Sequence, residues 1–386
     1  MKWFGWKAVR GTGRPLLFSG WRHLFSAEPW PRSYEAQVRE AYLANPVAQR
    51  AVRLVAESVA WCPVYEVSTA AGPTPPSAAG GRSPSPSRGG LATPALLETV
   101  ASQLLLHGNA FVQLLPDAAG APAELFALRP ERVTVEADSM GWPAAYLYKV
   151  GEAKSRLPAL DGLGRPSLVH LKAHHPLDDH YGLGCLGSAA AAVAVHNAAA
   201  RWNRALLDNA ARPSGALVYD PGDGGMLSRT QFERLQGEIE AKFQGSANAG
   251  RPMLLEGGLK WQAMSLTPAE MDFVGLKAAA AREIALAFGV PPMLLGLPGD
   301  STYANYREAN RALWRLTVLP LAERILSGIS AALAAWWPGA RLAVDVDQIS
   351  ALAEDRERLW RQVSGAAFLS DGEKREMLGF AAANDN

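Results

Sequence analysis

The sequence has 386 residues, 48% of them hydrophobic and 19% charged, with a formal net charge of +1. That length holds two or three cores at about 100–200 residues per domain, and the apolar content excludes a disordered chain. The near-neutral balance excludes a strongly basic nucleic-acid-binding domain, and only two cysteines, Cys62 and Cys185, exclude a disulfide framework and make a reducing cytoplasm the default.

Residues 1–33 form a basic arm. Lys2, Lys7, Arg10, Arg14 and Arg22 precede the first acid, Glu28, and no apolar run follows them, so no signal peptide is predicted. The arm reads as a flexible, solvated terminus or as a segment that orders against a neighbouring subunit or DNA. Tyr34 to Ala60 is an amphipathic helical pattern with Val52, Val55, Ala56 and Val59 on one stripe. Trp61 to Val67 reads as a strand that Pro63 confines to a start or an edge. Residues 70–90 are almost wholly Gly, Pro, Ala and Ser, which predicts an exposed linker.

Pro94 to His107 is a predicted helix, ended by Gly108 at a left-handed C-cap. Short strands follow at Ala110–Leu115, Leu125–Ala127, Val133–Glu136, Ala145–Val150 and Leu168–Lys172. This half is α+β. Ser188 to Ala211 is a helix built mostly of alanine, the residue with the best helix propensity and one that allows close packing on several sides. Ser214–Tyr219 reads as a strand and Ser228–Phe243 as a helix, with Ser228 as N-cap and Gln231 at the capping-box position. Met253–Leu255 and Leu259–Leu266 read as strands. Thr267, Pro268 and Glu270 then cap a second Ala-rich helix that runs to Phe288 and stops at Gly289.

Val290 to Thr302 is a loop constrained by Pro291, Pro292, Pro298 and Gly299. Tyr303 to Trp336 is a long helix with Pro320 as the place for a bend. No run reaches about 18 uninterrupted apolar residues, so no membrane span is predicted. Leu342–Val346 alternates like a strand, and Ile349–Met377 is helical, with breaks near Gly365 and Ser370-Asp371-Gly372.

Three constellations have chemical alternatives. Gly182-Leu183-Gly184-Cys185-Leu186-Gly187 fits G-x-G-x-x-G and opens a helix, so it is a tight turn or a dinucleotide site. No strand runs straight into it, which favours the turn. His170, His174, His175 and His180 with Asp178 and Asp179 match no standard zinc spacing and read as a surface loop before a metal site. Arg307, Arg311 and Arg315 share a helix face. They form an ion-paired surface, or a stripe that meets phosphate or the acids of an adjacent subunit. There is no P-loop, G-x-S-x-G or H-E-x-x-H, so no catalytic residue, cofactor or metal is assigned.

Several segments, in order, resemble the portal proteins of long-tailed phages and related gene-transfer particles. They are Asn45-Pro46-Val47 with Arg53–Ser58, Leu104–Val112 around Gly108-Asn109-Ala110, His170-Leu171-Lys172 with Tyr181–Gly184, Asn209–Gly215, Ala249–Pro252, Phe288–Gly296 and Leu369–Phe380. The last has Asp371-Gly372-Glu373 where the family has Asn-Glu, and the family's Pro-Asn element is replaced by the 70–90 linker.

The resemblance implies an α+β portal fold that assembles as a ring, usually of twelve subunits. Its parts would be a wing (34–187), a first stem helix (188–213), a small αβ clip (214–266), a second stem helix (267–289), a tunnel loop (290–302), a long channel helix with a returning wing strand (303–347) and a short helical crown (348–386). Leu297, Pro298, Gly299, Asp300, Ser301, Arg307, Arg311 and Arg315 become candidates for lining a DNA channel. Ala192, Ala199 and Trp202 become candidates for the subunit interface. The implied partners are the major capsid protein, the terminase large subunit, the head-tail adaptor and double-stranded DNA bound without sequence specificity, with no membrane. The implied place is a capsid vertex of a virion or virion-like particle, assembled in a bacterial cytoplasm. A nucleotide-binding enzyme using Gly182–Gly187 and a cytoplasmic scaffold are the alternatives.

Overall fold

The computed structural model describes residues 33–68, 91–208, 215–219, 228–231, 233–235, 237, 259–263, 272–297 and 303–378. Asn45 decides where the first long helix begins. Its Oδ1 accepts the N–H groups of Val47 (3.0 Å) and Ala48 (3.1 Å), and Pro46 occupies the first turn. The single helical pattern expected over 34–60 is therefore two pieces: α1 (Tyr34–Val38), which continues as a π turn (Arg39–Leu43), and α2 (Pro46–Ala60). Val52, Val55, Ala56 and Val59 are buried, as their spacing predicts. β1 (Val64–Ser68) follows Pro63 and pairs antiparallel with β10 (Ala340–Val344), which starts two residues earlier than expected.

α3 (Pro94–His107) is capped by Thr93 and ends at Gly108 with φ 79°, the left-handed conformation a side chain resists. Two three-stranded antiparallel sheets follow. β2 (Asn109–Pro116) lies between β3 (Pro122–Leu128) and β7 (Leu168–Lys172), and β5 (Pro143–Val150) lies between β4 (Val133–Ala137) and β6 (Ala153–Pro158). β6 escapes the sequence pattern because it is exposed almost throughout and has no apolar alternation; pairing with β5 makes it a strand.

Three loops share one construction. Asp117, Asp138 and Asp161 each accept the N–H groups two and four residues on through Oδ1, at 2.8–2.9 Å. Each has a positive-φ glycine three residues on: Gly120, Gly141 and Gly164. Two of these loops hold Trp336, whose Nε1–H donates to the Gly120 carbonyl (2.8 Å) while the Arg165 guanidinium sits 5.5 Å over its ring.

α4 (Cys185–Asp208) starts three residues before the expected Ser188. β8 (Gly215–Tyr219) and β9 (Leu259–Ala263) pair antiparallel. Ser228 and Gln231 form a reciprocal capping box, Ser228 N–H to Gln231 Oε1 at 2.9 Å and Gln231 N–H to Ser228 Oγ at 3.3 Å. The expected strand at Met253–Leu255 and the Thr267–Glu270 cap lie outside the described residues. α5 (Phe273–Ala287) begins at its own cap: Asp272, at φ 41°, accepts the Gly275 N–H (3.1 Å). A left-handed Asp272 separates α5 from whatever precedes it, so the helix does not run unbroken from Pro268.

After Gly289 the chain makes a 3-10 turn, Pro292–Leu295. The long helical stretch is α6 (Tyr303–Leu313), a π turn (Trp314–Val318) and α7 (Leu319–Leu333). The π turn lies directly before Pro320, which has no N–H to donate and whose ring would meet the preceding turn. By length and composition Ala304–Leu333 is apolar enough to cross a membrane. Its apolar face is used in the core, where Ile325, Leu326, Ile329 and Leu333 are buried. α8 (Ala353–Ser364) and α9 (Asp371–Met377) follow, the latter capped by Ser370 and Glu373.

One large core joins α2, α3, α4, α5, α7, β2 and β10. A smaller one gathers Phe111, Leu128, Val133, Tyr146 and Leu168 between the two sheets. His170 lies against this second core, stacked on Phe111 (4.2 Å) and edge-on to Tyr146 (5.8 Å). Desolvation by these surroundings, followed by the nearby Lys172, His107 and His180, holds its pKa down to about 3 from 6.5. Above pH 6.5 the ring is neutral in both folded and unfolded chains. Below it the unfolded chain takes up a proton that the folded chain refuses, so stability falls progressively towards pH 3. We expect His170→Gln to flatten the decline of melting temperature between pH 6.5 and pH 4, read by thermal denaturation at each pH.

Candidate assembly surface and channel segments

The placement of α4 rests on a backbone junction. A Cβ on Gly108 would lie 2.4 Å from the Gly184 nitrogen, one on Gly182 2.1 Å from the Gly108 oxygen, and one on Gly184 2.4 Å from the Leu106 oxygen. The turn 182–184 thus sits directly on the end of α3, and no side chain fits between them. Asn109 fastens it. Its Oδ1 accepts the Gly182 N–H (2.7 Å) and its Nδ2 donates to the Gly182 carbonyl (3.1 Å). Because Oδ1 is fixed as an acceptor, the 3.1 Å contact to His170 makes His170 Nε2 the donor, which sets its neutral tautomer. Of the G-x-G-x-x-G glycines, Gly182 and Gly184 serve close chain approach, while a Cβ on Gly187 would meet nothing.

A second polar joint fixes α4 sideways. Asn45 Nδ2 donates to Asn197 Oδ1 (2.9 Å) and to His196 Nδ1 (3.1 Å). Asn197 Nδ2 donates to the Glu40 carbonyl (2.9 Å), and Arg201 approaches the Glu40 carboxylate (3.9 Å). Burial first, and then Lys277, lowers the pKa of His196, which keeps its ring an acceptor. Asn45, His196 and Asn197 are buried but partnered, as an interior requires.

α4 packs along α5. Its inward face carries Leu186, Ala189, Ala192, Val193, His196 and Ala199, all buried; α5 answers with Ala280, Ala281, Ile284 and Ala285. Ala192 and Ala199, expected at the subunit interface, are therefore buried within one chain, because they sit on the same side of the helix as Val193 and His196. The opposite face of α4 is also apolar. Gly187, Ala191, Ala194, Val195, Ala198 and Trp202 recur every three or four residues and are all exposed, Val195 by 38% and Trp202 by 41%. On α5, Leu276 and Leu286 are 45% and 78% exposed, and Val274 is 85% exposed.

Of the candidate channel residues, Leu297 is partly buried, and Pro298, Gly299, Asp300 and Ser301 lie outside the described residues. The three arginines separate. Arg311 is buried and pairs with Glu308 (2.9 Å), Glu354 and Asp355 (3.6 Å); Arg307 also pairs with Glu354. Arg315 is exposed on the π turn and makes no ion pair among the described residues. The ion-paired alternative thus describes Arg307 and Arg311, and of the three only Arg315 has no ion pair among the described residues. The histidines disperse: His170 joins the Asn109 junction, and Asp178 caps the turn before α4 by accepting the N–H groups of His180 (2.8 Å) and Tyr181 (3.0 Å). No group of three or more metal-binding side chains occurs among the described residues.

Two small-residue helices with an inner seam and an outer apolar stripe, carried on an antiparallel α+β body, define a structural assembly subunit. The phage portal protein family matches residues 46–379, and the chain belongs to that family. It is 40% identical over 349 residues to an uncharacterized protein of Rickettsia felis, covering 88% of each. It is 27% identical over 255 residues to a "probable portal protein" of Streptomyces phage phiC31, covering 64% of this chain and 54% of that one. Among solved structures it resembles a chain in the virion of a native gene transfer agent particle (TM-score 0.67, 45% identity, covering 91% of this chain and 94% of that one). A chain from the neck of the native particle, with C12 symmetry, matches with the same TM-score and identity, covering 92% and 95%. An HK97-family phage portal protein from Corynebacterium diphtheriae shares the fold (TM-score 0.54, 18% identity, covering 82% and 97%).

The burial of Ala192 and Ala199 predicts what large residues do there. Ala192→Trp or Ala199→Trp should cost the isolated subunit about 1–3 kcal/mol by overpacking, seen as a lowered melting temperature. Ala194→Trp, on the outer face, should leave it unchanged.

Proposed function

We propose that this chain is the portal subunit of a phage-like or gene-transfer-type particle. Copies close head to tail into a ring of twelve at one capsid vertex, and double-stranded DNA passes through the ring during filling and release. In this reading α4 and α5 are the stem, β8 and β9 belong to the clip, 290–302 is the tunnel loop, and α8 and α9 form a short crown. The major capsid protein surrounds the ring. The terminase large subunit, and later the head-tail adaptor, dock on the clip.

The observation that carries the proposal is the outer stripe of α4 and α5. A lone subunit has no reason to leave Val195, Leu276 and Leu286 exposed on the helices that hold its core together. Neighbouring copies would cover them. Val195→Glu combined with Leu286→Glu should therefore abolish rings in electron micrographs while the subunit keeps its circular dichroism spectrum and melting temperature. Rings of normal yield would place the interface elsewhere.

The mode of DNA contact follows from charge. A near-neutral chain neutralises few phosphates, so DNA slides rather than sticks, and contacts to the sugar-phosphate backbone carry no sequence information. Residues 297–301 contain one acid and no base, so they crowd or repel DNA instead of binding it. Deleting Leu297–Ser301 should leave ring yield intact and lower the DNA content per particle. Unchanged DNA content would take the loop out of the mechanism.

A further inference from the structure

The first turns of α6 stand clear of the body. Ala304, Asn305, Tyr306, Arg307 and Glu308 are all exposed, and Arg311 is the first buried side chain after them. Ion pairs tie this end to α8. Arg311 reaches Glu354 and Asp355, both in the first turn of α8, and Arg307 reaches Glu354 as well. Glu308 completes the shell around Arg311 from α6 itself (2.9 Å), and Arg358 approaches Asp355 from α8 (3.9 Å). Three cations and three acids thus meet at one point, contributed by segments more than 40 positions apart in sequence. The acids sit at the N-terminal end of α8, where the helix dipole favours negative charge. Elsewhere on the same helices the arginines serve different ends: Arg361 pairs with Glu357 on the surface of α8, and Arg356 pairs with Asp347 and donates to the Leu378 carbonyl.

We infer that Arg311, assisted by Arg307, is a positioning residue that latches the N-terminal end of α6 to the first turn of α8, so that the opening of either helix end is coupled to the other. The latch does not depend on the portal reading. Two properties suit the cluster to this work. Arg311 is enclosed, with only 10% of its side chain exposed. Glu354 and Arg307 are about half exposed, so the clasp opens to water on one side and can part without unfolding the core. A guanidinium that meets Glu308, Glu354 and Asp355 through different nitrogens also fixes the relative angle of the two helices, which a lysine in its place would not do.

The test is hydrogen exchange on the full-length protein, followed at 303–310 and at 353–358. Glu354→Gln alters a half-exposed carboxylate and leaves the core intact. It should accelerate exchange over 303–310 at least tenfold, although the substitution lies on the other helix. Arg311→Met should accelerate exchange over 353–358 by a similar factor, and Arg311→Lys should recover only part of the protection. In the double variant the acceleration should not exceed that of the larger single one. Exchange over 303–310 within twofold of the parent in Glu354→Gln would overturn the latch, even if Arg311→Met lowers the melting temperature, because the cluster would then be only local packing. Ring yield, followed in parallel, reports on the portal reading separately: loss of coupling with intact rings, or intact coupling without rings, tells the two apart.

Discussion

The direct contact between the end of α3 and the turn at 182–184 governs the rest of the molecule. Gly108, Gly182 and Gly184 bring two stretches of backbone closer than any side chain allows, and Asn109 clamps them with bonds to both the N–H and the carbonyl of Gly182. An asparagine used this way imitates a strand partner: one side-chain amide replaces a peptide unit and satisfies groups that would otherwise be buried alone. The junction also aims α4, since the helix starts at Cys185, one residue past the last contact. The seam with α5, the outer stripe and the joint at Asn45 all inherit their direction from it.

The two histidines beside this frame act as neutral hydrogen-bonding groups. His170 donates to Asn109 and His196 accepts from Asn45, and in each case the asparagine oxygen is already committed to backbone N–H groups, which leaves one tautomer. The charged groups follow another logic. Arg39, Arg53 and Arg361 find acids four residues away on their own helices, surface pairs that add little stability and leave little free charge for phosphate. Arg311 is enclosed and tied to another helix. Pairing, more than total charge, decides which cations remain available.

Legibility in the sequence tracked how local the determinant was. Pro94 and Gly108 announced both ends of α3, and the Val52–Val59 stripe named a buried face, because caps and periodicity are written within a few residues. Asn45-Pro46 carried a stop and a start that the amphipathic pattern concealed. β6 was invisible because its residues are polar and its strand character comes from β5. The three Asp-x-x-Gly loops were legible in principle: an aspartate followed three positions later by glycine is a repeated turn signature. The arginine spacing placed three side chains on one helix face, but the partners of Arg307 and Arg311 lie more than 40 positions away on α8, beyond what spacing reveals.

Alanine posed the harder problem. On α4, Ala192 and Ala199 are buried while Ala191, Ala194 and Ala198 are exposed, and no property of the residue distinguishes the two sets. The sorting signal lay in their neighbours. Val193, His196 and Asn197 mark the inner face, because a histidine and an asparagine inside an apolar helix must point to partners that can satisfy them. Val195 and Trp202 mark the outer face, where both large side chains stay exposed. Read through those side chains, the helix has two apolar faces with one already covered. That asymmetry, more than the alanine content, makes α4 an element that a single copy of the chain leaves unfinished.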